Sequence, residues 1–118
     1  MEEQGNPVRD KSYAFALRVV RAARYLQREH AEYVLSKQLL RAGTSIGANV
    51  EEGNAGQTKR DFTAKMAIAS KEAREAHYWL RLLRDSEYLD SKAADSLLTD
   101  CDELMKLLTA IVKTAQAR

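Results

Sequence analysis

One proline, one cysteine and two histidines in 118 residues leave few chemistries open. Pro7 is that proline, so nothing after it is forced to break a helix. A lone Cys101 excludes a disulfide within the chain. A carboxylate-bridged di-iron bundle needs Glu three residues before each of its histidines, but Gln27 and Arg74 precede His30 and His77 at that spacing, so neither metal nor other cofactor is expected. No apolar run approaches the roughly 18 residues of a membrane span, and no signal-peptide pattern appears, so the expected setting is cytoplasmic, without membrane contact. Aromatics are scarce, at 7%, but a 45% hydrophobic content suffices for one modest core. The expected organisation is a flexible N-terminal segment over 1–9 and a single domain over 10–118.

The net charge is only +2, yet the signs are segregated. Residues 9–41 hold eight basic residues against three acids, and residues 85–103 hold seven acids against Lys92 alone. Such asymmetry suits an anionic partner at one surface, or head-to-tail contact between identical subunits.

Apolar spacing predicts four helices. From about Asp10 to Arg28, Phe15, Val19, Ala22, Ala23 and Leu26 share one stripe. Arg18, Arg21, Arg24 and Arg28 fall opposite it. They read either as a solvated face or as a ridge that contacts phosphates, for which the guanidinium fork is well shaped. A second helix is expected from about Glu32 to Gly53, with Leu35, Leu39, Ala42, Gly43, Ile46, Val50 and Gly53 inward. Gly43 and Gly47 lie four apart near that stripe, where missing side chains let a neighbouring helix come close. Thr58 followed by Asp61 reads as the cap of a third helix, whose core stripe is Phe62, Met66, Ala69, Ala73, Ala76, Leu80 and Leu83. Ile68, Trp79 and Leu82 form a second apolar patch there, surplus to a monomer and suited to a subunit interface. Asp90 caps a fourth helix with Leu97, Leu98, Cys101, Leu104, Met105, Leu108, Ile111, Val112 and Ala115 inward. Short connections make an antiparallel up-down-up-down four-helix bundle the economical all-α fold.

The chemistry of a site is thin. Gly53 to Lys59 lacks the Gly-Lys-Ser/Thr order and the preceding strand of a phosphate loop, so it reads as a helix stop, with Gly53 or Gly56 as a left-handed cap. Cys101, in the middle of an apolar stripe, reads as a buried filler, and His77 as a hydrogen-bonded structural residue. Nothing in the spacing of Glu51, Glu52, Glu72 and Glu75 demands paired carboxylates, so catalysis is not expected.

The run Ser45-Ile46-Gly47-Ala48-Asn49-Val50-Glu51-Glu52-Gly53, then Arg60-Asp61-Phe62, then the helix from Ala69 to Leu80, resembles the four-helix-bundle proteins encoded in 23S rRNA intervening sequences. That family includes the accessory variability determinants of diversity-generating retroelements. Gly47 and Ala76 depart from its commonest form, which often has Pro and Thr there. The resemblance implies a ring of bundles, typically a homopentamer, with a basic surface for RNA or other nucleic acid and no known enzyme activity. In the retroelement members it implies a reverse transcriptase as partner. The resulting expectation is a non-catalytic accessory protein that touches phosphates through Arg18, Arg21, Arg24 and Arg28. Its alternative is a protein-interaction scaffold whose basic stripe docks on an acidic protein surface, such as the fourth helix of the next subunit.

Overall fold

The computed structural model describes residues 6–117. They form four helices: α1 (Pro7–His30), α2 (Leu35–Asn54), α3 (Lys59–Asp85) and α4 (Ser91–Gln116). Each helix packs on its chain neighbours, α1 closes against α4, and the diagonal pairs do not meet. This is the expected antiparallel bundle. Its α1–α4 seam is the most sparsely packed of the four.

The predicted stripes form the core. Phe15, Val19 and Leu26 of α1, Leu39, Ile46 and Val50 of α2, Met66, Leu80 and Leu83 of α3, and Leu104 and Leu108 of α4 are essentially inaccessible to solvent. Each such large aliphatic or aromatic side chain stabilises the fold by about 1.5–3 kcal/mol. Ala69, Ala73 and Ala76 run down the middle of α3, and Cys101 faces them from α4, its thiol donating to the Ala73 carbonyl at 3.2 Å. Small residues on both sides bring these helices close. Toward the end of α4, Ile111 and Val112 are only half-buried, and a groove of about 460 Å³ opens between Phe62, Ile111 and Ala115.

The helix ends supply the main departures from expectation. α1 begins at Pro7, with the Asn6 side chain accepting from the Arg9 amide and Val8 already buried. Positions 7–9 therefore belong to the bundle, because proline suits a first helical turn that has no amide partner to lose. The remainder of the expected flexible segment, residues 1–5, lies outside the described residues. α2 begins at Leu35, and Glu32 stands outside it as a cap. Its carboxylate accepts from the amides of Val34, Leu35 and Ser36 at 3.1, 2.8 and 2.7 Å. Val34, at the conventional cap position, has no side chain able to do this.

Neither Gly53 nor Gly56 is left-handed, since no described glycine has positive φ. Gly53 instead lies inside α2, where an added Cβ would stand 2.9 Å from the Met66 methyl. The left-handed stops are Ala31, at φ 51°, and Glu87, at φ 69°. Each costs about 1 kcal/mol relative to glycine, which the surrounding hydrogen bonds must offset. After Ala31 the Glu32 amide bonds back to Leu26, and after Glu87 the amides of Tyr88 and Leu89 both reach the Leu83 carbonyl. The caps at Thr58 and Asp90 are as expected, accepting from Asp61 and Ala93 at 3.0 and 2.9 Å.

Candidate nucleic-acid interface

The basic and acidic segments of the sequence become adjacent helices, because the fourth helix of an up-down bundle returns beside the first. Arg18 turns toward α4, bonding to the Asp100 carboxylate at 2.6 Å and to the Ser96 hydroxyl at 2.9 Å. Lys11 reaches Glu103 at 3.1 Å along the same seam. From α3, Arg84 pairs with Asp95 and His77 with Asp102, at 2.9 and 3.0 Å. Four carboxylates of α4 are thus engaged within the chain. Each pair is partly exposed, screened by solvent, and contributes little to stability.

Arg18 must therefore be set apart from the ridge in which it was expected. Arg21, Arg24 and Arg28 remain exposed on the outer face of α1, with no carboxylate of the described residues paired to them. The same face shows Tyr13, Leu17 and Tyr25, each between 41% and 64% exposed, so the cations are interleaved with apolar surface.

A second basic surface escaped the reading of the sequence. Arg74 of α3 and Lys106 and Lys113 of α4 line a groove that contains no acid, and Arg60 lies toward the same end. α4 carries no carboxylate after Glu103. These residues are scattered in the chain, and only the antiparallel packing of α3 on α4 gathers them.

The four glutamates do not gather into one cluster. Arg41 bridges Glu72 and Glu75, while Glu75 also accepts from the Trp79 indole at 3.2 Å. The Trp79 indole and the Arg41 guanidinium together hold the Glu75 carboxyl below its ordinary range. Glu52 pairs with Lys65, and Glu51 lies apart in the α1–α2 groove. Of the surplus apolar patch, Ile68 is 41% exposed, while Trp79 and Leu82 are half-buried and Trp79 packs on the core. Exposed Tyr78 meets the Trp79 ring edge-on and extends that surface. Gly43 and Gly47 both face α1, but only at Gly43 would an added Cβ clash, against Val19.

His77 accepts from the Arg81 side chain on Nδ1 while Nε2 faces Asp102, the structural role expected of it. Cys101 is buried, and burial with help from Asp102 and Asp100 pushes its thiol up to about 12. No group of three or more His, Cys, Asp or Glu among the described residues is arranged to hold a metal ion. None of the described helices is long and apolar enough to cross a membrane.

The model of one protein family, described as 23S rRNA-intervening sequence protein, matches residues 4–110. Among solved structures, the chain is similar to a Bacteroides thetaiotaomicron protein of unknown function from the S23 ribosomal protein family. The two are 47% identical over 90% of this chain and 98% of that one, with a TM-score of 0.88. No curated protein matches.

Proposed function

The chain belongs to the 23S rRNA-intervening sequence protein family, and we propose that it is a non-catalytic accessory protein that assembles with itself and binds RNA through basic surface. The carrying observation is the sorting of cations on α1. Arg18 and Lys11 are neutralised by α4, whereas Arg21, Arg24 and Arg28 stand together with no such partner. Cations held on a rigid helix without internal counter-charge are available to phosphates, and the release of counterions supplies the affinity. Ile68 and Tyr78, beside Trp79, form the surface through which copies assemble, and a homopentameric ring is the assembly the resemblance implies. A ring would repeat the ridge and turn weak contacts into avidity.

Fluorescence anisotropy with a labelled RNA across a salt series tests this. Replacing Arg21, Arg24 and Arg28 by Gln should weaken binding and reduce the salt slope by about 2 to 3. Unchanged affinity would reject the ridge. Light scattering on Ile68→Lys tests the assembly, which this variant should break.

The alternative is a scaffold that docks on an acidic protein, a reverse transcriptase among the candidates. One form of it places the ridge on α4 of the next subunit, and that form is weakened by the internal engagement of Asp95, Asp100, Asp102 and Glu103. An oligomer that dissociates in salt and binds no RNA would favour the scaffold.

A further inference from the structure

The C-terminal ends of α1 and α3 lie at the same end of the bundle, and both terminate through non-glycine residues in the left-handed region, Ala31 and Glu87. Backbone held this way persists only where its surroundings determine it, and such positions cluster at working sites. The two stops present aromatic rings to each other. His30 precedes Ala31 and Tyr88 follows Glu87, and their rings meet edge-on at 5.8 Å. Tyr25, one turn earlier on α1, meets His30 edge-on at 5.3 Å, with its hydroxyl 3.2 Å from Nε2. These three rings line a pocket of about 360 Å³ together with Arg84, Glu87 and Asp90.

The charge arrangement separates rim from interior. Tyr25 is 47% exposed, with Arg21 four residues before it, Arg28 three after and Glu29 four after, the spacings that make helical side chains neighbours. With Arg24 also exposed on this face, cations outnumber the one carboxylate at the rim. Inside, Arg84 is already paired with Asp85 and Asp95 and the α4 N-terminus is capped by Asp90, which leaves the Glu87 and Asp90 carboxylates to accept from a group with N–H donors, while a phosphate is better placed outside. A flat π system bearing such donors, attached to a phosphate chain, is a nucleobase that is not paired.

We infer that the Tyr25–His30–Tyr88 pocket receives an unpaired base of single-stranded RNA while Arg21, Arg24 and Arg28 hold the adjoining phosphates. This rests on the RNA-binding reading and adds a preference to it: the ridge alone serves any phosphate chain, whereas the pocket serves only a strand whose bases are free.

The test is anisotropy on the full chain with a fluorescein-labelled unstructured RNA and with the same sequence as a duplex. Wild type should bind the single strand more tightly. Tyr25→Ala should weaken single-strand binding about tenfold, the scale of one lost aromatic stack, and leave duplex binding unchanged. Tyr25→Phe keeps the ring and should stay near wild type, and circular dichroism melting verifies that both variants fold. Equal binding of both RNAs with no effect of Tyr25→Ala would overturn the pocket and leave the ridge standing. If wild type binds neither RNA, both readings fall together. Single-strand binding lost with Tyr25→Phe as much as with Tyr25→Ala would also overturn the inference, because the ring would then not be the contact.

Discussion

A Cβ built on Gly43 of α2 would stand 2.7 Å from Cγ1 and 2.8 Å from Cγ2 of Val19 on α1, so the absence of a side chain at one position makes room for a β-branched one at the other. Gly47, one turn on, faces the Ser12 backbone, where the same added atom would lie 3.4 Å from the carbonyl oxygen. The two glycines look alike in sequence. Their neighbours differ, and the difference can be measured.

Gly43→Ala should destabilise the bundle by about 1–2 kcal/mol, because Val19 is fully buried, stiff at χ1 and has nowhere to turn. Gly47→Ala should be neutral or stabilising, since ordinary contact distance lets the gain in helix propensity of about 1 kcal/mol count. Gly47→Leu, in contrast, overfills the contact and should destabilise. Urea unfolding of the three variants checks all of this, and a Gly43→Ala variant as stable as wild type would show that the helices shift apart freely.

Arg18→Gln should behave unlike the same change at Arg21, Arg24 or Arg28. Loss of the Asp100 and Ser96 contacts should lower stability by at most about 1 kcal/mol, with little effect on RNA affinity. The other three should leave stability nearly unchanged and weaken RNA binding. Paired melting and anisotropy measurements separate the two behaviours. If Arg18→Gln costs as much RNA affinity as Arg24→Gln, the division of the ridge is wrong.

Glu32 links stability to pH. Burial would raise its carboxyl, but the amides of Leu35, Ser36 and Val34 outweigh burial and hold it below the ordinary 4.5. A carboxyl depressed in the folded state contributes stability that is fully present above the unfolded value and is lost as pH falls through the lower folded one. Glu32→Ala should therefore cost about 1 kcal/mol at neutral pH, as loss of a helix cap does, and should reduce the loss of stability on the acid side. Denaturant midpoints across that range decide it, and parallel curves for variant and wild type would reject the link.

Cys101 should resist thiol reagents in the folded protein. Its raised pKa and burial leave almost no exposed thiolate at neutral pH. Modification by a chromogenic disulfide reagent should wait for the α3–α4 contact to open, so its rate should rise steeply with denaturant. Prompt labelling in buffer would mean that α4 detaches readily from α3.

The apolar stripes were legible because period alone decides which residues of an amphipathic helix turn inward, and Phe15, Leu39, Met66 and Leu104 obey it. Thr58 and Asp90 were legible as caps because their short side chains reach the amides three residues on. Glu32 was not, since a longer side chain outside the helix has no fixed spacing signature. Glycine is the usual signature of a left-handed stop, but hydrogen bonds back to Leu26 and Leu83 impose it on Ala31 and Glu87. The arginine ridge was only partly legible: sequence places Arg18 beside Arg21, and nothing local reveals that α4 returns to claim it. The pocket at Tyr25 needed two helix ends and a loop to meet, which no single segment announces.

The sparse α1–α4 seam also orders events in time. Arg18 and Asp100 are 82 residues apart, whereas the other three seams join helices consecutive in the chain. Consecutive helices can form as hairpins with little loop entropy to overcome, while the seam must wait until most of the chain is in place. Hairpins before closure is therefore the expected order of folding, and the seam expected to close last, having the thinnest packing, is also where the folded bundle would first reopen.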